Sequence, residues 1–176
     1  MGEVTPGNLS APEKLSPEPD LAAFDSGETV LNEWLRRRAA QNESSGASRT
    51  YVICTETRVV GYYGLAVGAV THEQAAGRIK RNMPDPIPVI ILGRLALDRR
   101  FQGKRMGAGL LKDALLRTLQ AANIAGIRAL LVHAISDAAK RFYEACGFMA
   151  SPVDPMTLMI TLVEAERIIS NAKDLD

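Results

Sequence analysis

The feature that most restricts how this chain can fold is an apolar run, Ile87 to Leu97, that leads through a glycine-bearing turn into the best helix of the sequence, Met106 to Ile124. A run of that length and near-continuous hydrophobicity reads as a central strand, interrupted at Gly93 and Arg94. Leu110, Leu111, Ala114, Leu115, Leu119 and Ala122 recur at helical spacing and give the helix its buried stripe, with Gly126 as the expected stop. Ile127 to Ala134 is the next buried strand. Ser136 or Asp137 caps a short helix through Ala145 that Gly147 terminates. Thr157 to Leu162 is a last strand, with a frayed polar helix behind it.

Upstream the pattern differs. Pro6, Pro12, Pro17 and Pro19 forbid a helix in the first twenty residues but allow a short edge strand near Glu13 to Leu15. A helix begins after Asp25-Ser26-Gly27, with Val30, Leu31, Trp34 and Leu35 on its apolar face and arginines on the other side, and Asn42 to Ser48 breaks it. Strands follow at Arg49 to Thr55 and Arg58 to Val70, where Gly61, Gly64 and Gly68 point to bulges or close backbone approach. Thr71 to Pro88 is a polar, proline-bearing excursion, long for a hairpin loop. Antiparallel strands followed by a strand-helix-strand-helix-strand unit give an α+β class, with a mixed central sheet of about six to seven strands flanked by helices. The 176 residues, 47% of them hydrophobic, suit one domain over 1–176, with 1–11 and 164–176 peripheral.

Composition excludes little else. A net charge of +1 supports no global affinity for polyanions. Cys54 and Cys146 have neither zinc-ligand nor redox spacing and read as two small hydrophobes in a reducing compartment, so no metal is expected. No apolar run is long enough to span a bilayer and the N-terminus lacks a signal pattern, which gives a cytoplasmic reading with no membrane partner.

The chemistry concentrates in Leu95-Ala-Leu-Asp-Arg-Arg-Phe-Gln-Gly-Lys-Arg-Met-Gly-Ala-Gly-Leu-Leu111. A turn opening directly into a helix presents unpaired, converging N–H groups backed by the helix dipole, which suits a phosphate or pyrophosphate. The Gly-Lys-Ser/Thr ending of a Walker loop is absent, and the spacing is not that of the dinucleotide fingerprint. Further on, adjacent helix positions point about 100° apart, so Phe142 and Tyr143 cannot both face one core. Phe142 aligns with Ala138 and is expected inward, which leaves Tyr143 toward a cofactor cleft. His133 reads as a satisfied core histidine rather than a base, and His72 as a surface loop residue.

Gln102-Gly-Lys-Arg-Met-Gly107 resembles the acetyl-CoA motif of the GNAT acetyltransferases, Gln/Arg-x-x-Gly-x-Gly/Ala, and Ala139-Lys-Arg-Phe-Tyr-Glu-Ala-Cys-Gly-Phe148 resembles that family's helix followed by Gly-Phe. More narrowly, Asp25-Ser-Gly-Glu, Leu31-Asn-Glu-Trp-Leu, Gly46-Ala-Ser-Arg-Thr50, Met83-Pro-Asp-Pro-Ile-Pro88 and Leu130-Leu-Val-His-Ala134 resemble the TacT/AtaT-type GNAT toxins of bacterial toxin-antitoxin pairs. The resemblance covers nearly the whole chain and implies a GNAT fold. Acetyl-CoA would be held by Leu95, Ala96, Leu97, Gln102, Gly103, Lys104, Arg105, Met106, Gly107, Ala108, Ala138 and Phe142. It further implies acetylation of the α-amino group of aminoacyl-tRNA, which blocks translation, a homodimer, and a ribbon-helix-helix antitoxin through which alone DNA is reached. The matching tyrosine, Tyr143, would protonate the departing CoA thiolate; a phenol near pKa 10 can donate to a thiolate whose conjugate acid is near about 8.5.

One position departs from the motif: Arg105 stands where the family has its first glycine. Either its backbone is helical and arginine is tolerated, or the enzyme is attenuated. The central strand carries no Asp or Glu, so no carboxylate base is at hand for a lysine amine of pKa about 10.4. An α-amine starts near about 7.7–8.0 and an adjacent ester lowers it further, which favours aminoacyl-tRNA independently of the resemblance. Arg36, Arg37, Arg38, Arg78, Lys80, Arg81, Arg94 and Arg99 are the candidates for tRNA phosphates, against the plainer reading of solvated faces. Competing functions are a GNAT acting on a protein N-terminus, a lysine or a small amine, and a binding module weakened by Arg105.

Overall fold

The computed structural model describes residues 9–173. Residues 1–8 and 174–176 of the two segments expected to be peripheral lie outside the described residues. The elements run β1 (Glu13–Lys14), α1 (Thr29–Arg37), α2 (Ala39–Ser45), β2 (Arg49–Thr55), β3 (Arg58–Val70), α3 (Gly77–Lys80), β4 (Ile87–Leu97), α4 (Met106–Ala122), β5 (Ala129–His133), α5 (Asp137–Ala145), β6 (Met149–Ala150), β7 (Thr157–Thr161) and α6 (Leu162–Lys173). The strands form one mixed seven-stranded sheet in the order β1-β2-β3-β4-β5-β7-β6. β1, β2 and β3 pair antiparallel. β4 and β5 pair parallel over Val89–Leu92 and Ala129–Val132, and β7 lies antiparallel to both β5 and β6. The α+β class read from the sequence is the observed one.

The chain divides into two compact units, one made of residues up to Leu65 with Arg94–Asp113, the other of Ala66–Gly93 with residues from Ala114 onward. In the first, Tyr62 of β3 organises the core. Its ring stacks on Trp34 at 5.9 Å and meets the edge of Phe24 at 5.6 Å, and its hydroxyl donates to the Leu31 carbonyl at 2.7 Å. Leu31, Trp34 and Leu35 are the buried face of α1, as their spacing requires. Val30, in the first turn, points off that stripe and is 75% exposed. The helical region also continues past the expected break: α2 runs through Asn42 and stops at Gly46, whose φ of +80° suits glycine.

In the second unit Val70, Ile79, Ile87, Val89, Leu131 and Met159 share a core cluster. The polar excursion between β3 and β4 is tied to it. Ile79 is buried, Arg128 donates to the Ile79 and Arg78 carbonyls at 3.0 and 2.8 Å, and His72 Nε2 lies 2.9 Å from the Met83 carbonyl. α4 ends four residues before Gly126, tightening through Ile124 N–H to the Ala121 carbonyl at 3.0 Å. Its buried stripe includes Thr118, whose hydroxyl donates back to the Ala114 carbonyl at 2.8 Å and so hides its polarity. β6 has too few residues to leave a period in the sequence. α6 is amphipathic, burying Ala165 and Ile169.

Gly61 lies next to the bulge on β3: Ile53 faces Gly61 while Cys54 faces Val59, so Val60 is the extra residue. A Cβ on Gly61 would come within 2.9 Å of the Ile53 and Leu97 side chains. Side chains, not backbone, occupy the space that this glycine leaves. Gly61→Ala is therefore expected to cost about 1–3 kcal/mol of stability by overpacking, read from urea unfolding midpoints.

Candidate active site

In the first unit, β4 ends in half-buried Leu95 and Leu97 around buried Ala96. The chain then turns on Asp98, which is 2% exposed. The Asp98 carboxylate accepts from the Arg100 amide (3.1 Å), the Arg100 Nε (3.0 Å) and the Asp25 amide (3.2 Å). Burial pushes this carboxyl up, but the hydrogen bonds from Arg100 and Asp25 outweigh that and hold its pKa below the usual 3.8. A 3-10 turn over Arg99–Phe101 follows, with Phe101 buried beneath it. Gln102 Nε2 then donates to the Leu97 and Ser26 carbonyls at 2.9 and 2.8 Å. The motif glutamine thus holds the turn in shape with its side chain.

Beyond Gln102 the backbone passes through the left-handed region twice, at Gly103 (φ +78°) and Arg105 (φ +61°). The hydrogen-bond ladder of α4 begins with Gly109 N–H to the Arg105 carbonyl at 3.3 Å. The amides of Met106, Gly107 and Ala108 precede it, at the open, positive end of the helix dipole. A Cβ on Gly103 or Gly109 would meet nothing within 4 Å, and one on Gly107 only the Leu97 side chain at 3.8 Å. The turn is open where a phosphate must approach, and Lys104 and Arg105 are exposed at it. A pyrophosphate fits these residues. Arg105 is not helical, which removes the first of its two readings: an arginine occupies αL geometry that costs an L residue roughly 1–2 kcal/mol.

In the second unit, Ser136 caps α5 by accepting from the Ala139 amide, and the far end closes in a Schellman motif. Phe148 N–H donates to the Tyr143 carbonyl at 3.1 Å, and Gly147 N–H to the Glu144 carbonyl at 3.0 Å. Gly147 has φ +100°, as the motif demands of glycine. The Phe148 ring then packs on Tyr143 at 5.4 Å between centroids. The Gly-Phe pair of the sequence is thereby the clamp on Tyr143.

The geometry reverses the expected faces of α5. Tyr143 is its buried residue, 7% exposed, while Phe142 is half-buried and Ala138 exposed. The 100° argument separated the two aromatics correctly but chose the wrong one for the interior, because the inward stripe runs through Ala139 and Tyr143. Burial, with a smaller contribution from Cys146, pushes the Tyr143 phenol up to about 12. The hydroxyls of Tyr62 and Tyr63 are engaged, by the Leu31 carbonyl and by Asp113. Among the described residues the Tyr143 hydroxyl has no such partner, and it is not one of the fully enclosed polar atoms. A neutral phenol with a free proton is available there. Cys54 and Cys146 are unpaired, and burial raises both thiols, so neither is a thiolate nucleophile.

The arginine candidates separate into engaged and free. Arg36 donates to the Phe24 carbonyl at 2.5 Å, Arg94 lies 4.3 Å over the Trp34 ring, and Arg99 pairs with Asp25 at 3.7 Å. Arg37 and Arg38 are exposed. In the second unit Arg78 pairs with Glu164 at 3.2 Å, while Lys80 and Arg81 are exposed. Arg128 and Arg167 join Arg78 and Arg81 around a cleft of about 450 Å³. Sequence spacing gives no signal for that grouping; it is made by strand pairing and the return of α6.

His133 also departs from its core reading. It is the exposed last residue of β5, and its Nδ1 lies 2.9 Å from Thr157 Oγ1. The strand was read as Ile127 to Ala134, but β5 is Ala129–His133, and the ring stands at its exposed end rather than inside it.

Residues 46–150 match the family model described as an acetyltransferase (GNAT) domain. The chain is 49% identical over 162 residues, 92% of its length and 98% of the relative's, to a tRNA-acetylating toxin of Mycobacterium tuberculosis (strain ATCC 25618 / H37Rv). Among solved structures it resembles AtaT complexed with acetyl-methionyl-tRNAfMet, with a TM-score of 0.84 at 29% identity over 91% of this chain and 98% of that one. It also resembles a tyrosine-to-phenylalanine mutant of AtaT bound to the C-terminus of the antitoxin AtaR and acetyl-CoA. There the TM-score is 0.79 at 30% identity over 92% and 98%.

Two outcomes are expected from the turn. Because the Asp98 pKa is lowered in the folded state, the unfolded chain takes the proton more readily. The stability from this group is complete at neutral pH and is lost as pH falls through 3.8 and below. Asp98→Asn should cost about 1–3 kcal/mol at pH 7, a deficit that shrinks in urea melts taken down to pH 3. Arg105→Gly should relieve strain and raise stability by about 1 kcal/mol, and a better-held turn should tighten acetyl-CoA binding. Unchanged affinity by calorimetry would sink the attenuation reading.

Proposed function

The chain belongs to the GNAT acetyltransferases, and on that premise we propose that it is a toxin that transfers acetyl from acetyl-CoA to the α-amino group of aminoacyl-tRNA and so blocks translation. The observation that carries the substrate is the near full-length likeness to a tRNA-acetylating toxin. The family match spans segments of both compact units, which supports one acetyltransferase domain over the chain.

Acetyl-CoA, when bound, supplies an acyl thioester activated toward an amine. The backbone of Gly103 to Ala108 would hold its pyrophosphate at the α4 N-terminus, with Lys104 balancing the charge. Leu95, Ala96 and Leu97 would bind its pantetheine arm, and Ala138 and Phe142 are the residues of α5 assigned to the cofactor. Gln102 and Asp98 keep the turn in shape. Tyr143 would give its Oη proton to the departing sulfur. Its raised pKa keeps it protonated at every physiological pH. The same desolvation that makes the phenol a weaker acid makes an enclosed thiolate a stronger base, so the transfer stays matched.

Arg37, Arg38, Lys80 and Arg81 are free to meet tRNA phosphates, whereas Arg36, Arg78, Arg94 and Arg99 already serve the fold. A homodimer neutralised by a ribbon-helix-helix antitoxin, with DNA reached only through that antitoxin, completes the reading; the AtaR-bound relative supports the antitoxin. Among the described residues no helix is long and apolar enough to cross a membrane, which agrees with action in the cytoplasm.

The test is incubation of charged tRNA with labelled acetyl-CoA, with N-acetyl-aminoacyl-tRNA as the expected product. Tyr143→Phe should lower turnover by about 10²–10⁴-fold and leave acetyl-CoA affinity nearly intact. Intact cofactor binding without transfer to any charged tRNA would defeat the substrate reading.

A further inference from the structure

Asn32 stands on the buried face of α1 beside Leu31, Trp34 and Leu35, where the spacing calls for an apolar side chain, and it is 8% exposed. A buried amide is tolerable there only when its donors and acceptor are bonded. Asn32 Oδ1 accepts from the Ser26 amide and from the Ser26 hydroxyl, both at 2.8 Å, and Nδ2 donates to Asp25 Oδ1 at 3.0 Å. None of these bonds caps the helix, whose N-cap residue, Glu28, makes no side-chain cap. Both ends of the Asn32 amide are directed at the loop Asp25 to Gly27 ahead of α1. The helix itself is seated on the sheet one residue away, where the Tyr62 hydroxyl bonds the Leu31 carbonyl.

The remaining polar atoms of that loop bond the turn after β4. The Asp25 amide donates to Asp98 Oδ2 at 3.2 Å, the Arg99 amide donates to the Asp25 carbonyl at 2.9 Å, and Gln102 Nε2 donates to the Ser26 carbonyl at 2.8 Å. The Asp25 carboxylate also lies 3.7 Å from Arg99 Nε. The Gly27 amide first and the Asn32 amide second hold that carboxyl below the usual 3.8. Gly27 lets the two segments approach: its φ is +90°, and a Cβ on it would come within 3.1 Å of Arg99 Nε. All of these residues belong to the first unit, as does the start of α4.

Resting on the reading that this turn holds the pyrophosphate of acetyl-CoA, we infer that Asn32 is a positioning residue for the cofactor: through Asp25 and Ser26 it fixes Asp98, Arg99 and Gln102, and so the direction of the Met106, Gly107 and Ala108 amides. It acts through the loop and not by contact with the cofactor. Amides aimed in advance bind an anion without the ordering cost of a loose turn. Loss of Asn32 therefore weakens acetyl-CoA in the ground state and the transition state alike, which raises KM and leaves the rate of the bound complex unchanged. The sequence stretches Asp25-Ser-Gly-Glu and Leu31-Asn-Glu-Trp-Leu are the two ends of this relay.

The test is calorimetry of acetyl-CoA with the intact protein, alongside KM and kcat for acetyl-CoA in transfer to charged tRNA. The calorimetric arm does not depend on which amine is acetylated. Asn32→Leu keeps a side chain of similar size on the buried face of α1. It should weaken acetyl-CoA about tenfold, or about 1.4 kcal/mol, raise KM to match, and leave kcat at saturation within about twofold. Ser26→Ala removes only the hydroxyl bond and should weaken acetyl-CoA about threefold; it decides the matter if urea unfolding shows that Asn32→Leu does not fold. Glu33→Ala, on the exposed side of α1, should bind as the unsubstituted protein does. A merely structural role would lower the active fraction, and so kcat, at unchanged Kd. That result, or folded variants of unchanged affinity, overturns the inference while the turn stands as the cofactor site. Gly107→Asp separates the two, because a carboxylate among the open amides should abolish acetyl-CoA binding. Binding that survives it removes the pyrophosphate from this turn and overturns both.

Discussion

The buried carboxylate of Asp98 is the interaction on which the binding turn depends. It sits at the last step of β4, where a strand must become a turn and the turn a helix. Asp98 holds three groups there: the Arg100 amide, the Arg100 guanidinium and the Asp25 amide. A charge this deeply buried is tolerable only when fully hydrogen-bonded. Gln102 completes the arrangement by gripping the carbonyls of Leu97 and Ser26. The open amides at the start of α4 are positioned by side chains that do not point at them.

A second constraint acts at α5. A helix that must end on a buried tyrosine needs a left-handed residue just past its last turn and an apolar residue beyond that. Gly147 and Phe148 are those residues. The result is an aromatic held from two sides, with its ring desolvated and its proton free. Strain is present as well, since Arg105 keeps an αL backbone at the mouth of the phosphate turn. Local structure gives up stability there, at the turn that opens into α4.

Much of this was legible in the residues. The strand limits Arg49–Thr55, Arg58–Val70 and Ile87–Leu97 follow from apolar runs bounded by turns, because burial on a sheet leaves a strong pattern. The turn at Gln102 was legible because helix N-termini and glycines carry local chemistry. The errors fall where a face, not an element, had to be chosen. Phe142 and Tyr143 are both apolar enough for either side of α5, and only the packing of Phe148 settled the choice. His133 was placed inside because the apolar run around it does not show where the strand ends, and the last residue of β5 is exposed.

By itself, then, the sequence determined the order of the main strands and helices, the α+β class and the glycine-bearing turn that opens into α4. These depend on contacts within a few residues, or on patterns that repeat along one element. The tertiary structure alone decided that Arg105 is left-handed and that Arg128 and Arg167 join Arg78 and Arg81. Each of those depends on strand pairing or on a backbone angle. Neither leaves a trace in composition or period, because the partners are brought together by folding and not by spacing.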